Sequence, residues 1–488
     1  MEQLSPQDAQ FLYMESAENL THVTSIATFD PSTVPNGKKV RFKDIIAHVE
    51  SRLGAGPMLR RRLVRVPLEL DYPYWVDDEY FDLEYHLRHG RLPDPGDWRQ
   101  FCIHMARYHS RPLDMNKPLW EMYVVEGLDK IEGLGKGSYA IATKIHHAAV
   151  DGASLVRFFS AMMDSDNKGT PAVDLTAIEP VNSPMPSLRD MARRAAVNNL
   201  RSPVRIAHAL MRATPGLFRA ARETVASKDK DKSKSGVPKT RFNGFVSPHK
   251  MFDAVEFSLA DFKAIRPLVP GCTINDVVLA VCGGALRGYL QHHKELPEEP
   301  LVAWVPINAR LGGAADTEGS GNHISAMTTA IYTNVADPVE RLQCIFQSTR
   351  KSKEAKSGVS ARLMTDITRH VPAATQVLVS RLVLSTGVAS GMCNLFISNV
   401  PGPQQQFYMN GARQVSSYGL APLGEGMGLF IATPSYAGKM SFNVISTREI
   451  MPDITVFMSG LKSSLAELLA ALKPAKKKST KKKSIKRR

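Results

Sequence analysis

Apolar and polar positions along the chain follow two periods. From Ser138 to His147 they alternate, which predicts a strand with Tyr139, Ile141, Thr143, Ile145 and His147 on one face and His146 on the other. From about Ala153 the period lengthens to that of a helix, and Leu155, Phe158, Phe159, Met162 and Met163 form one stripe. The same pattern predicts a helix from Thr273 to Leu290 with Val277, Val278, Val281, Ala285 and Tyr289 inward. It also predicts strands at Leu301 to Pro306, Leu395 to Val400 and Met440 to Ile445, and a last helix striped by Leu461, Leu465, Leu468 and Leu472. Strands and helices mixed on both sides of a polar centre predict an α/β (α+β) fold of two sandwich halves, residues 1–165 and 246–472. A connector, 166–245, joins them, and a tail, 473–488, follows.

Within the connector, Leu188 to Val225 reads as one or two helices. Apolar Met191, Ala195, Leu200, Ile206, Leu210, Leu217 and Phe218 are interleaved with Arg193, Arg194, Arg201, Arg205, Arg212, Arg219 and Arg222. Such a helix either lies on an anionic bilayer with its arginines at the headgroups, or packs on the body with a solvated arginine face. The Lys228 to Gly236 run reads as a flexible linker.

Composition sharpens this. A chain of 488 residues, 43% hydrophobic, can bury a large core, and a small disulfide-stapled fold is excluded. Five cysteines at wide spacing, with no Cys-x-x-Cys pair, read as reduced thiols. The N-terminus carries no secretory signal pattern. The longest uncharged stretch, Leu382 to Ala412, is too polar and too broken by proline and glycine to span a bilayer. The expectation is a cytoplasmic protein that meets a membrane from one side. The net charge of +15 first points to nucleic acid or an anionic surface. Thirteen Lys/Arg against four Asp/Glu lie between Arg189 and Lys239, and ten against none from Lys473 to Arg488, so the remaining body is slightly acidic. The charge then serves as a docking device, and no specific nucleic acid partner is expected.

The chemistry concentrates in His146-His147-Ala148-Ala149-Val150-Asp151-Gly152, at a strand end before a loop and a helix. A histidine pair at a strand end is either structural or, with one nitrogen of an imidazole held and the other free, able to take a proton from a hydroxyl. The alternation singles out His147. Asp151 is placed to shape the loop by pairing with an arginine, and Gly152 lets the backbone turn or approach a ligand. No serine or cysteine sits at a strand-to-helix elbow, which gives a covalent acyl-enzyme little support. Thr273-x-x-Asp276 fits a capping box, whereas Asn275 at the same helix start is a candidate oxyanion donor. His104, His109, His292 and His293 have no metal-ligand company along the chain, and no metal site is expected.

His-His-x-x-x-Asp-Gly resembles the signature of the CoA-dependent acyltransferase superfamily, and the chain resembles its bacterial wax ester synthase/diacylglycerol acyltransferase family. Further segments follow in the family's order: Leu4 to Leu12, Arg111 to Glu121 with Pro118-Leu119-Trp120, Thr273 to Val277 with Asn275-Asp276, and Ser398-Asn399-Val400-Pro401-Gly402-Pro403. The resemblance implies two chloramphenicol-acetyltransferase-like halves with the active site in a channel between them, and His147 as general base. It further implies His146 and Asp151 as loop supports and Gly152 as a backbone donor. The co-substrate would be acyl-CoA, the acceptor a diacylglycerol or fatty alcohol, with no cofactor. Pro118, Leu119 and Trp120 read as a turn with a buried anchor, and Ser398, Asn399 and Pro401 as scaffold along the channel. Peptide-synthetase condensation domains share the histidine motif, and a non-catalytic membrane- or nucleic-acid-binding factor is the alternative outside enzymes.

Overall fold

The computed structural model describes residues 2–150, 158–169, 185–203, 237–308, 324–356, 371–386 and 391–472. Asp151 and Gly152, most of the connector and the lysine tail lie outside them.

Two six-stranded sheets carry the architecture. The first runs β12 (Tyr408–Met409), β13 (Ala412–Leu420), β2 (His22–Asp30), β7 (Tyr139–His146), β6 (Trp120–Glu126) and β5 (Leu87–Arg91). The second runs β10 (Ile324–Ala330), β9 (Val302–Asn308), β11 (Leu395–Val400), β14 (Phe430–Tyr436), β15 (Lys439–Thr447) and β8 (Lys250–Ser258). A small third sheet joins β1 (Glu2–Gln3), β4 (Tyr74–Asp77) and β3 (Arg61–Val64). The mixed α/β fold in two halves is therefore present. The sheets, however, do not follow the division of the chain at residue 245. The chain leaves the second sheet through β11, crosses over, and pairs β13 with β2 from Arg413↔Asp30 to Leu420↔Thr24.

Strand β7 is central and buried on both faces. Its small residues Ala140 and Ala142 face the large core that also holds Phe101, Phe252 and Phe442, while Tyr139, Ile141 and Ile145 face a second cluster with Phe29, Trp120 and Met162. Phe158 and Met162 of the predicted stripe are buried in that second cluster. The helix Ile274–His292 buries Val277, Val278, Val281, Ala285 and Tyr289. It carries Gly283 and Gly284 mid-helix, at a cost of about 1 kcal/mol each, because neighbours come too close for a side chain. A Cβ at Gly283 would meet the Ile331 carbonyl oxygen at 2.4 Å, and one at Gly284 the Ser464 hydroxyl at 2.2 Å. Ser464 belongs to the final helix, Ile454–Ala471, which is long and apolar enough to cross a membrane by length and composition. It instead buries Phe457, Leu461, Leu465 and Leu468 in the core.

Residues 188–203 form a helix that lays Met191 against Val64, Val66, Tyr74 and Val76. Ala195 is buried too, while Arg189, Arg193, Arg194 and Arg201 stay exposed. For this part of the connector the inner stripe packs on protein. Residues 204–236 lie outside the description.

Candidate active site

The strand ends at His146, one residue before the alternation predicts, and His147 opens a single 3-10 turn, His147–Ala149. Its ring direction is therefore set by the turn and its neighbours, not by the pleat, which corrects the expectation that it shares a face with Tyr139 and Ile145. Its backbone N–H donates to the Thr21 carbonyl at 3.0 Å. Its ring stacks on Phe11, with centroids 3.9 Å apart and planes 15° from parallel. Phe11 lies on the helix Pro6–Tyr13, whose start Ser5 caps by accepting from the Asp8 N–H. The N-terminal segment Leu4 to Leu12 thus forms a roof over the histidine loop.

His146 is fully buried and bonded at both nitrogens. The Ala148 N–H donates to Nδ1 at 3.0 Å, so Nδ1 is an acceptor and Nε2 carries the proton. Nε2 lies 2.6 Å from Glu15 Oε2 and 3.0 Å from Thr21 Oγ1, while the Thr21 hydroxyl donates to the Phe11 carbonyl at 2.8 Å. The His146 N–H donates to the Leu119 carbonyl at 3.0 Å. His146 is a strut between the strand end, the loop and the segment after the first helix. Glu15 and Thr21 carry no signal in the sequence, Glu15 standing three residues beyond the matched N-terminal segment, whereas Phe11 lies within it.

Pro118, Leu119 and Trp120 support the same loop. Leu119 packs with Leu4, Ala9, Leu12 and Ala148, bringing three of the matched segments into one cluster. Trp120 is buried, donates from Nε1 to the Leu59 carbonyl at 2.9 Å and stacks on His86 at 4.5 Å.

Behind the loop lies a buried basic cluster. His22 pairs in register with His146, and its Nε2 is 2.6 Å from the His109 carbonyl oxygen. The Thr24 hydroxyl lies 2.8 Å from His109 Nδ1. Burial, reinforced by Lys144, pushes His109 down to about 3 and holds His22 well below the ordinary histidine range, helped there by His109. Lys144 donates to the Tyr108 and Arg111 carbonyls, and burial lowers it to about 8.

Residues 14–21 also tie the loop to the second half. The Glu18 carbonyl accepts from Lys250 Nζ at 2.9 Å, and Asn19 Nδ2 donates to Glu425 at 3.4 Å. The histidine loop therefore sits at the seam of the two halves.

At the start of helix Ile274–His292 the capping box is formed. The Thr273 N–H donates to Asp276 Oδ2 at 2.7 Å, the Asp276 N–H to Thr273 Oγ1 at 3.3 Å, and Asp276 Oδ1 accepts from Thr349 at 2.7 Å. Asn275 sits in that first turn, part-buried. Its helix packs chiefly on the helices Pro338–Lys356 and Ile454–Ala471. Among the described residues, no hydrogen bond joins Asn275 to His147. Ser398 and Asn399 lie in β11, paired in parallel with Ala432 and Thr433 of β14. Pro401 leads into a turn where Gly402 passes so close to the Ser435 carbonyl oxygen that a Cβ would lie 2.1 Å from it.

His104 and His109 are packed in the protein, His104 against the Tyr123 hydroxyl at 3.0 Å. His292 and His293 do gain company that the sequence hid. Asp453 Oδ2 lies 3.7 Å and 3.1 Å from their Nε2 atoms, and the three side chains are close enough to share a metal ion. Tyr289 donates to the same carboxylate at 2.7 Å.

A histidine loop thus sits at the seam of two mixed sheets, and it is the comparisons with known proteins that make this arrangement an acyltransferase. Residues 4–278 match the wax ester synthase/diacylglycerol acyltransferase catalytic domain and 320–469 the WS/DGAT C-terminal domain. The chain belongs to that family. Two putative diacylglycerol O-acyltransferases of Mycobacterium tuberculosis are 32% and 33% identical to it. Their matches cover 96% of this chain in both cases, and 90% and 100% of the relatives. The wax ester synthase/diacylglycerol acyltransferase of Marinobacter aquaeolei VT8 superposes with a TM-score of 0.65 at 26% identity, over 96% of this chain and 99% of that one. A condensation domain of the calcium-dependent antibiotic synthetase shares the fold, with a TM-score of 0.54 at 15% identity, over 96% and 97% of the two chains.

Proposed function

We propose that the protein transfers a long-chain acyl group from acyl-CoA to diacylglycerol, a fatty alcohol, or both, with His147 as general base. The observation that carries this is the ring of His147, clamped against Phe11 at the end of a central buried strand. Its neighbour His146 is locked at both nitrogens. His147 takes the proton of the acceptor hydroxyl as that oxygen attacks the thioester carbonyl carbon. The C–S bond then breaks, and the departing CoA thiolate takes the proton back from the imidazolium. Asp151 and Gly152 keep the roles that the family resemblance implies, loop support and oxyanion donor. Asn275 is the second candidate donor. His147→Ala is expected to abolish ester formation from labelled acyl-CoA while the far-UV circular dichroism and unfolding midpoint stay unchanged; substantial residual activity would sink the mechanism.

The enzyme works at the cytoplasmic face of the membrane or on lipid droplets. The Arg189–Lys239 segment and the lysine tail attract anionic lipid, and the outward arginines of residues 188–203 support this reading. Vesicle binding should weaken as salt rises and on deleting residues 473–488; salt-independent binding that survives the deletion would count against it.

A further inference from the structure

We propose that the protein inserts into lipid through an apolar surface assembled from three distant stretches of chain: the Pro67–Glu69 turn with Leu70, the outer face of helix Ala373–Thr386, and the end of the helix over residues 188–203. This rests on the reading that its acceptors are lipids. Leu68 is 87% exposed, Leu200 78% and Leu378 68%, with Leu70 and Val379 exposed beside them. Scattered exposed leucines need no explanation, but these are joined. Helix Ala373–Thr386 packs against the Pro67–Glu69 turn. Asn199 Nδ2 donates to the Leu70 carbonyl at 2.9 Å, and Asn198 to Asp71 Oδ2 at 2.8 Å, bringing the helix that carries Leu200 onto the same corner. Exposed leucines that the fold gathers onto one corner from elements in contact mark an interaction surface.

The backbone at the tip strengthens the argument. Leu68 has φ 57° and Glu69 φ 53°, both in the left-handed region that bulky side chains adopt only at a cost. Glycine or asparagine would serve such a turn with less strain. The fold instead holds a leucine there and points it into solvent.

The surface also borders the active site. On its inner side, helix Ala373–Thr386 places Ala373 and Val377 in the cluster with Leu12, Leu119 and Ala148. Gln376 Nε2 donates to the Pro6 carbonyl at 2.8 Å. The helix that presents Leu378 outward therefore touches, with its other side, the N-terminal helix that holds Phe11 over His147.

The charged rim selects the occupant. Exposed Arg65, Arg189, Arg193, Arg194, Arg201 and Arg381 lie on these elements or beside them, against Glu69 and Asp190. Leucines surrounded by arginines fit the acyl region and headgroups of an anionic lipid surface.

The test is flotation of the full chain with vesicles of phosphatidylcholine, alone or mixed with phosphatidylglycerol. The triple variant Leu68→Ser, Leu70→Ser, Leu378→Ser should lose about tenfold or more of its vesicle-bound fraction on both lipids. The loss should persist at high salt, which screens the arginines but not apolar insertion. The single variant Leu68→Gly, which relieves the turn, should bind less while unfolding no earlier than the wild type. Turnover of emulsified diacylglycerol should fall with binding, and turnover of a short soluble alcohol should not. A failure of acyl transfer itself would thus be told apart from a failure of docking. Unchanged flotation of the triple variant would overturn the proposal. So would a wild-type dimer that the triple variant dissolves with flotation unaltered, since that would put a second copy on this face.

Discussion

Glu15 and His146, 131 positions apart in the chain, meet with Oε2 2.6 Å from Nε2, and the opposite nitrogen of the same ring accepts the Ala148 N–H. A carboxylate thereby holds the turn that carries His147, without being placed against the reacting atoms itself. Glu15→Ala should lower kcat by about 10²-fold through misplacement of the base and leave KM for acyl-CoA little changed. Glu15→Gln, whose amide oxygen still accepts, should recover most of the loss. Steady-state kinetics decide: a raised KM at unchanged kcat would assign Glu15 to substrate binding instead.

The start of helix Ile274–His292 separates a structural pair from a chemical candidate. Thr273→Ala should cost about 1 kcal/mol as the cap is lost. Asp276→Ala should cost about 0.5–1.5 kcal/mol more, because the buried Thr349 hydroxyl loses its shorter bond and falls back on the Phe346 carbonyl at 3.1 Å. Asn275→Ala should shift stability by no more than about 0.5 kcal/mol yet reduce kcat by about 10²-fold. Urea unfolding read beside turnover tests all three, and an unchanged kcat would remove Asn275 from the oxyanion role.

Trp120 anchors the loop from below. Trp120→Ala should destabilise the protein by about 3–5 kcal/mol. Trp120→Phe should cost about 1 kcal/mol for the lost bond to Leu59 and keep turnover per folded molecule. Loss of turnover in a folded Trp120→Phe protein would mean that the indole acts on substrate.

The buried basic cluster sets the pH response. His22 and His109 bind protons less readily when folded than when unfolded. Between an unfolded value of about 6.5 and about pH 3 the unfolded chain therefore holds more protons. Their contribution to stability is fully present above that unfolded value and is lost as pH falls, with a slope of at most about 1.4 kcal/mol per pH unit for each ring. Lys144 and Lys250, both lowered to about 8 by burial, add a contribution that rises from about pH 8 towards 10.5. Unfolding midpoints measured across pH should climb through the acid window and fall again above about pH 9, where the cysteine thiols and buried tyrosines, which burial keeps protonated in the folded chain, outweigh the two lysines. His109→Gln should flatten the acid climb; an equal acid slope in that variant would remove His109 as its source.

What the chain discloses unaided depends on how local the determinant is. Strand β11 begins and ends where its apolar pattern does, and the capping box at Thr273 and Asp276 is a spacing of three that the backbone honours. The direction of His147 was not legible, because alternation cannot say at which residue a strand stops. Glu15 and Thr21, and the stacking role of Phe11 within its marked segment, were hidden for a different reason: they reach the loop through tertiary contacts more than a hundred residues long. Nothing along the chain placed Asp453 beside His292 and His293 either. The arginine helix marks a third limit, since an apolar stripe looks the same whether it meets Val64 and Tyr74 or a bilayer.

The hairpin strand that crosses from the second half has a consequence for how this protein can be divided. A fragment ending near residue 245 would present the flank of β2 from Thr24 to Asp30 as a bare edge, open to pairing with other chains. The complementary fragment would carry β13 as an arm without its sheet. Each piece thus lacks what the other supplies. Two co-expressed fragments would meet along this ladder as well as through the shared core and the contacts of Lys250, Glu425 and Gln376 with the first half, and β13 is the backbone latch of a split, reassembling version of the enzyme.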